Sequence, residues 1–279
     1  MDAVVTTEWL APRLGQVRVV DVRWYLDPSR IGRDAYLAGH IPGAAFLDVD
    51  ADLSAPGGGR GRALGRHPWP SEEQVSRVMS AAGIGPRTAV VAYDDQSGAI
   101  AGRLWYLLRA HGHAEAAVLD GGLRKWVGEG RPLETAVPVP APATFTAKLR
   151  PGFVVTKAEM VVAPPPLVLD ARAPERFRGG VEPIDPRAGH VPGARNAPFT
   201  GNLTGDSLPV FLSASTLRER YLALGAGETE PVVYCGSGVT ACHDLLALHL
   251  AGLRGRLYAG SWSEWSADPA LPVETGPGT

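Results

Sequence analysis

Val232-Val233-Tyr234-Cys235-Gly236-Ser237-Gly238-Val239-Thr240-Ala241 is a short apolar run, a cysteine, a small Gly/Ser loop and an apolar stretch of helical period. It reads as strand, tight loop, helix, with Cys235 at the strand's carboxyl end. In such a loop the backbone N–H groups turn inward, and the helix start adds positive potential. Both favour thiolate over thiol, and the thiolate is the nucleophile. A free cysteine is more commonly a small core residue. The Gly-Ser-Gly run speaks against that here, because a core position does not need a chain that can fold around a small anion. A nucleophile must also be reachable by its substrate.

Outward from this stretch, the landmarks occur twice in the same order. Val20-Asp21-Val22-Arg23 matches Leu169-Asp170-Ala171-Arg172, and Gly39-His40-Ile41-Pro42-Gly43-Ala44 matches Gly189-His190-Val191-Pro192-Gly193-Ala194. Ala89-Val90-Val91-Ala92-Tyr93-Asp94 stands opposite Pro231-Val232-Val233-Tyr234-Cys235. Leu119-Asp120-Gly121-Gly122-Leu123 with Trp126 stands opposite Leu257-Tyr258-Ala259-Gly260-Ser261 with Trp265. Two copies of this size predict two domains, over residues 1–136 and 153–279, with a Pro/Ala-rich linker at 137–152.

Each half alternates short β-branched runs with helical patterns. Strands are expected over 17–22, 88–93, 116–119, 167–170, 232–234 and 256–258, and helices over 72–82, 99–110, 216–224 and 239–250. The alternation predicts an α/β fold, each domain a mainly parallel sheet flanked by helices. Sites in such sheets form at the carboxyl ends of strands, where Cys235 is expected.

Composition limits the rest. The 279 residues are 45% hydrophobic and 20% charged, with a net charge of −2. That chain can bury a full core, and its charge favours neither nucleic acid nor an anionic membrane as partner. No apolar run is long enough to cross a bilayer, and the first residues lack a signal-like pattern. Two cysteines are no disulfide framework, so the expected compartment is the reducing cytoplasm.

These paired motifs, with the loop Cys-Gly-Ser-Gly-Val-Thr, resemble the rhodanese superfamily, specifically its two-domain sulfurtransferases; the loop is similar to that of the 3-mercaptopyruvate sulfurtransferases. The resemblance implies tandem rhodanese-like domains, the first non-catalytic. It implies transfer of a sulfur atom from mercaptopyruvate, or alternatively thiosulfate, through a Cys235 persulfide and without a metal or cofactor. The donor is a small molecule. The acceptor is cyanide or a thiol, either low-molecular-weight or on a thioredoxin-like protein. By position, Gly236, Gly238, Val239 and Thr240 line the donor site with Cys235. Arg176 holds the donor's carboxylate. The chain reads Glu182-Pro183-Ile184-Asp185-Pro186-Arg187 where mercaptopyruvate enzymes often have Glu-Pro-Arg, so Arg187 is expected to serve from a shifted position. Ser237, His67 and Asp50 match a triad-like network that draws on the first domain, and Trp24 with Tyr25 matches an aromatic pair at the cleft. That correspondence puts the site between the domains. A loop of neutral residues after Cys235 also suits a monocarboxylate better than a dianion.

Other readings compete. A cysteine phosphatase would need an arginine six positions after the cysteine, where this chain has Ala241. A non-catalytic interaction or sulfur-carrier module is the third reading; the intact Cys235 and Arg176 speak against it for the second half, though not for the first. Cys242 reads as a core residue of the following helix. His40 and His190 read as structural, as do the Asp21–Arg23 and Asp170–Arg172 pairs. The spacing of His243 and His249 with the cysteines matches no standard zinc pattern. The Gly57–Gly61 run reads as a flexible loop rather than a phosphate cradle.

Overall fold

The computed structural model describes residues 1–59 and 61–278. The chain divides into two compact units. Unit 1 comprises Met1–Leu53, Pro70–Arg150 and Gly205–Phe211; unit 2 comprises Ser54–Trp69, Pro151–Thr204 and Leu212–Thr279. Each half of the sequence thus lends a segment to the other unit, and residues 54–69, which include His67, count with unit 2.

In unit 1 the strands are β1 (Val4–Val5), β2 (Arg18–Asp21), β3 (Ala45–Phe46), β4 (Val90–Tyr93) and β5 (Ala116–Leu119). They form a parallel sheet in the order β1-β5-β4-β2-β3. Unit 2 repeats this with β6 (Val154–Val155), β7 (Val168–Asp170), β8 (Arg195–Asn196), β9 (Val232–Tyr234) and β10 (Arg256–Tyr258), in the order β6-β10-β9-β7-β8. All their pairings are parallel as well. Every residue of β4 and β9 is buried, as central strands covered on both faces require. Helices Glu72–Ala81, Ala101–Ala110, Ala214–Ala223 and Ala241–Leu250 occupy the expected places with ends shifted by up to two residues. Ser71 and Ser213 cap two of them by accepting from Gln74 N and Thr216 N.

The repeated motifs lock the two sheets in equivalent ways. The Tyr93 hydroxyl accepts the Ile41 N–H, and the Tyr234 hydroxyl accepts the Val191 N–H, each at 3.1 Å. Arg23 donates to Asp21 and to the Gly39 carbonyl, and Arg172 donates to Asp170 and to the Gly189 carbonyl. His40 stacks on Tyr36 and His190 on Phe177, each with Nδ1 against its partner's carbonyl. This register makes Asp94, just after Tyr93, the counterpart of Cys235, just after Tyr234.

The stretch 137–150 counts with unit 1. The amides of Phe145, Ala147 and Leu149 donate to Ser80, Ser76 and Glu72, all on the helix Glu72–Ala81. Among the described residues, no helix is long and apolar enough to cross a membrane.

Candidate active site

The loop 235–240 joins β9 to the helix Ala241–Leu250. Cys235 Sγ accepts the N–H of Gly238 at 3.1 Å and that of Ser237 at 3.4 Å. Cys235 is 1% exposed, so by exposure it is a buried cysteine. Its surroundings are nonetheless those of an anion site: two amides converge on the sulfur at the end of a central strand. Gly238 makes this turn possible. Its φ is +78°, and a Cβ there would stand 2.5 Å from the Ala259 carbonyl oxygen.

The turn after β10 braces the loop. Trp262 N donates to Cys235 O and Ser263 N to Gly236 O, both at 2.9 Å. Cys235 N donates to Ser261 Oγ at 3.2 Å, and Ser261 itself holds a φ of +55°. A serine in this left-handed conformation carries strain, here at the support of the nucleophile loop. Cys242, buried in the helix, donates to the Gly238 carbonyl.

Three consecutive residues from the first half of the sequence, which count with unit 2, pack beside this loop. Gly65 takes a φ of +77° and lies so close to the Gly260 carbonyl that a Cβ would stand 2.8 Å from it. Arg66 N donates to Ser263 Oγ at 3.0 Å. His67 Nδ1 lies 2.8 Å from Ser237 Oγ, with both residues buried. The preceding Gly-rich run folds back here, with Gly59 N donating to Gly65 O; its Arg60 lies outside the described residues.

Arginines and carboxylates surround Gly236. Arg176 donates through Nη2 to both oxygens of Glu182 and to Asp185 Oδ2. Arg66 Nη1 pairs with Asp185 Oδ1. Asp185 therefore bridges the two guanidinium groups. Burial pushes its carboxyl above the usual range, against the pull of Arg66. Glu182 also takes the amides of Ile184 and Asp185. A Cβ at Gly236 would meet Arg66 Nη2 at 2.5 Å and Arg176 Nη1 at 3.4 Å.

Two expectations need correction here. Arg187 is not available as a second substrate arginine. It donates to four backbone carbonyls, those of Trp265, Ser266, Asp268 and Leu271, at 2.5–3.0 Å, and so ties down the segment after the helix Ser261–Trp265. The loop after Cys235 is neutral in sequence but not in space, because Arg66 brings a cation to Gly236. Sequence reasoning missed Arg66 and Asp185. The available signals were that Arg66 precedes His67 and that Asp185 fills the departure from Glu-Pro-Arg.

Unit 1 contains the matching loop with its anion built in. The Asp94 carboxylate accepts the N–H groups of Gln96, Gly98, Ile100 and Ala101 at 2.7–2.9 Å. Burial pushes its pKa up while these bonds pull it down. Also in unit 1, Trp24 Nε1 donates to Asp50 Oδ2 at 2.8 Å, and Tyr25 donates to Asp95 at 2.7 Å.

Fold and loop together define a tandem domain family. The rhodanese-like domain profile matches residues 6–129 and 157–268, and the chain belongs to the rhodanese family. It is 44% identical to "Probable 3-mercaptopyruvate sulfurtransferase" of Pseudomonas aeruginosa over 98% of both chains. It is 36% identical to the thiosulfate sulfurtransferase of Gallus gallus, covering 94% of this chain and 93% of the relative. Among solved structures, the 3-mercaptopyruvate sulfurtransferase from Leishmania major superposes with a TM-score of 0.84 at 32% identity, over 95% of this chain and 74% of that one.

Proposed function

We propose that this protein is a sulfurtransferase that takes a sulfur atom from 3-mercaptopyruvate onto Cys235 and hands it to a thiol or cyanide. The observation that carries this reading is the convergence of the Ser237 and Gly238 N–H groups on the Cys235 sulfur. Family membership and the named relatives support the same chemistry.

The Cys235 thiolate attacks the donor's sulfur. An S–S bond forms as the donor's C–S bond breaks, and the electron pair leaves on carbon as the enolate of pyruvate. That enolate takes up a proton. An acceptor thiolate or cyanide then attacks the outer sulfur, and the electron pair of the Cys235 persulfide bond returns to Sγ. The Ser237–His67 pair is the proposed hydroxyl and base that polarise the donor's carbonyl and relay the proton. Asp50 and Trp24, bonded to each other, keep the roles the resemblance implies: an orienting acid and an aromatic wall. Gly236, Val239 and Thr240 are assigned to the donor site with the loop that carries them. The acceptor is a small thiol, a thioredoxin-like protein or cyanide, and the compartment is the cytoplasm, in keeping with cysteines that form no disulfide.

Arg66 beside Gly236 favours a second reading, thiosulfate as the preferred donor, because a dianion gains most from a nearby cation. Asp185 offsets that gain by holding the same guanidinium. Side-by-side kcat/KM values decide between the two. The first reading expects mercaptopyruvate to exceed thiosulfate by at least about tenfold; the reverse order selects the second.

A further inference from the structure

Unit 1 has a cleft of its own, of about 270 Å³, that no step of the reaction above uses. It is lined by the helix Gly32–Ala38, the edge strand β3, the helix Glu72–Ala81 and residues 137–140. Tyr36 and Phe46 supply aromatic rings 5.3 Å apart, and Ala81 and Pro138 supply aliphatic wall. Three charged groups line it as well. Arg33 lies over both rings, 5.9 Å and 5.6 Å from their centroids. Arg33 and Arg77 are exposed, and among the described residues neither has a hydrogen-bond or ion-pair partner. Asp52 is half-buried, and its Oδ2 accepts the Asp48 N–H at 2.9 Å. Burial raises the pKa of this carboxyl, while that N–H and the charges of Arg77 and Arg33 pull it down, so both guanidinium groups act on it. The backbone adds two open groups. β3 ends its sheet, and Leu47 N donates to Asp21 O on the inner side. Alternate residues of a strand turn their N–H and C=O to opposite sides, so those of Phe46 face the open edge. Neither has a partner among the described residues.

We infer that this cleft binds a free α-amino acid with an apolar side chain. In an antiparallel hydrogen-bonded pair, two facing residues exchange both of their N–H···O bonds. A free amino acid laid along the edge makes the same exchange with Phe46: its ammonium donates to the carbonyl, and its carboxylate accepts the N–H. Arg33 and Arg77 complement the carboxylate, and Asp52 complements the ammonium. A carboxylate without an amine would gain from the arginines but meet Asp52, and an amine without a carboxylate would meet the reverse. A zwitterion meets neither penalty. The rings and aliphatic walls take its side chain. The cleft is smaller than the sites that enclose drug-sized ligands, which suits one amino acid rather than a nucleotide. The inference goes beyond the sulfurtransferase reading and does not depend on it. It gives the unit that carries Asp94 in place of the nucleophile a ligand of its own.

Titration calorimetry of the full chain with L-phenylalanine tests this. Saturable binding of one equivalent is expected, with a Kd of about 0.1–1 mM, as suits a small ligand in an open cleft. 3-Phenylpropionate, which lacks the ammonium, and phenethylamine, which lacks the carboxylate, are each expected to bind at least about tenfold more weakly. Arg77→Gln and Asp52→Asn are each expected to raise the Kd for L-phenylalanine about fivefold to twentyfold. Arg77 makes no hydrogen bond or ion pair among the described residues, so its variant is expected to keep the wild-type unfolding midpoint and to report on binding alone. Cys235→Ser is expected to bind L-phenylalanine as the wild type does, whatever becomes of its turnover. No saturation up to about 20 mM overturns the inference. So does equal affinity for 3-phenylpropionate, or wild-type affinity in Arg77→Gln. Binding lost in Cys235→Ser also overturns it, because the amino acid would then occupy the nucleophile's site.

Discussion

His67 Nδ1 and Ser237 Oγ lie 2.8 Å apart although 170 residues separate them in the chain. The contact exists because Gly65 and Arg66 dock on the turn that braces the Cys235 loop. A hydroxyl polarised by an imidazole matters only if the donor has a carbonyl to polarise.

Ser237→Ala is therefore expected to lower kcat with mercaptopyruvate by about tenfold to a hundredfold, within the range for a lost acid–base group. Thiosulfate, which has no carbonyl, should lose much less. Steady-state rates with both donors check this. Equal losses would remove the Ser237–His67 pair from the chemistry.

Gly238→Ala should damage the loop itself. The new Cβ meets the Ala259 carbonyl, and the left-handed φ is unfavourable for alanine. A loss of about 2–4 kcal/mol is expected, read as a lower urea midpoint, together with loss of turnover. Gly236→Ala meets the ends of the Arg66 and Arg176 side chains rather than backbone and should lower the midpoint less. Similar midpoints for both variants would contradict the account of the turn.

Arg187→Ala should be a stability variant. Removing the guanidinium takes a donor from four carbonyls, of which those of Trp265 and Asp268 keep a backbone N–H, at an expected cost of about 2–4 kcal/mol. The donor preference of the folded fraction should stay as in wild type. A raised KM for mercaptopyruvate with an unchanged melting temperature would return Arg187 to the donor site.

Asp244 gives a pH signature. It is buried in the helix after the loop, with Oδ1 accepting from Asn202 Nδ2 at 2.7 Å, and burial pushes its pKa up to about 7 from its ordinary value of 3.8. Between those values the folded chain holds a proton that the unfolded chain has released. The contribution of this group to stability therefore falls as pH rises through that window and levels off above about 7. Asp244→Asn should flatten this part of the profile, as measured by unfolding midpoints across the window. An identical profile in the variant would refute the assignment.

Much of the architecture was legible because duplication doubles every signal. Both copies of Asp-x-Arg and Gly-His-x-Pro-Gly-Ala mark equivalent points of the two sheets, and the runs at 232–234 and 256–258 have the predicted strand limits. The two-residue strands Val4–Val5, Ala45–Phe46, Val154–Val155 and Arg195–Asn196 were illegible, since a pair of residues has no periodicity to read. In the candidate site, the loop around Cys235 was legible from its own residues and the Ser237–His67 contact from the resemblance. The place of Arg66 beside Gly236 was not, because it arises from segment 54–69 joining unit 2, a long-range event that leaves no local pattern. Arg187 misled for the same reason: an arginine's sequence position does not say whether its donors end on backbone carbonyls.

The central claim is that Cys235 itself carries the sulfur. Intact-protein and peptide mass spectrometry after incubation with mercaptopyruvate and no acceptor tests it most directly. The expected result is a gain of one sulfur atom on the peptide containing Cys235, removed by added cyanide or thiol and absent in Cys235→Ser. Sulfur found on Cys242 instead, or turnover surviving in Cys235→Ser, would contradict the account.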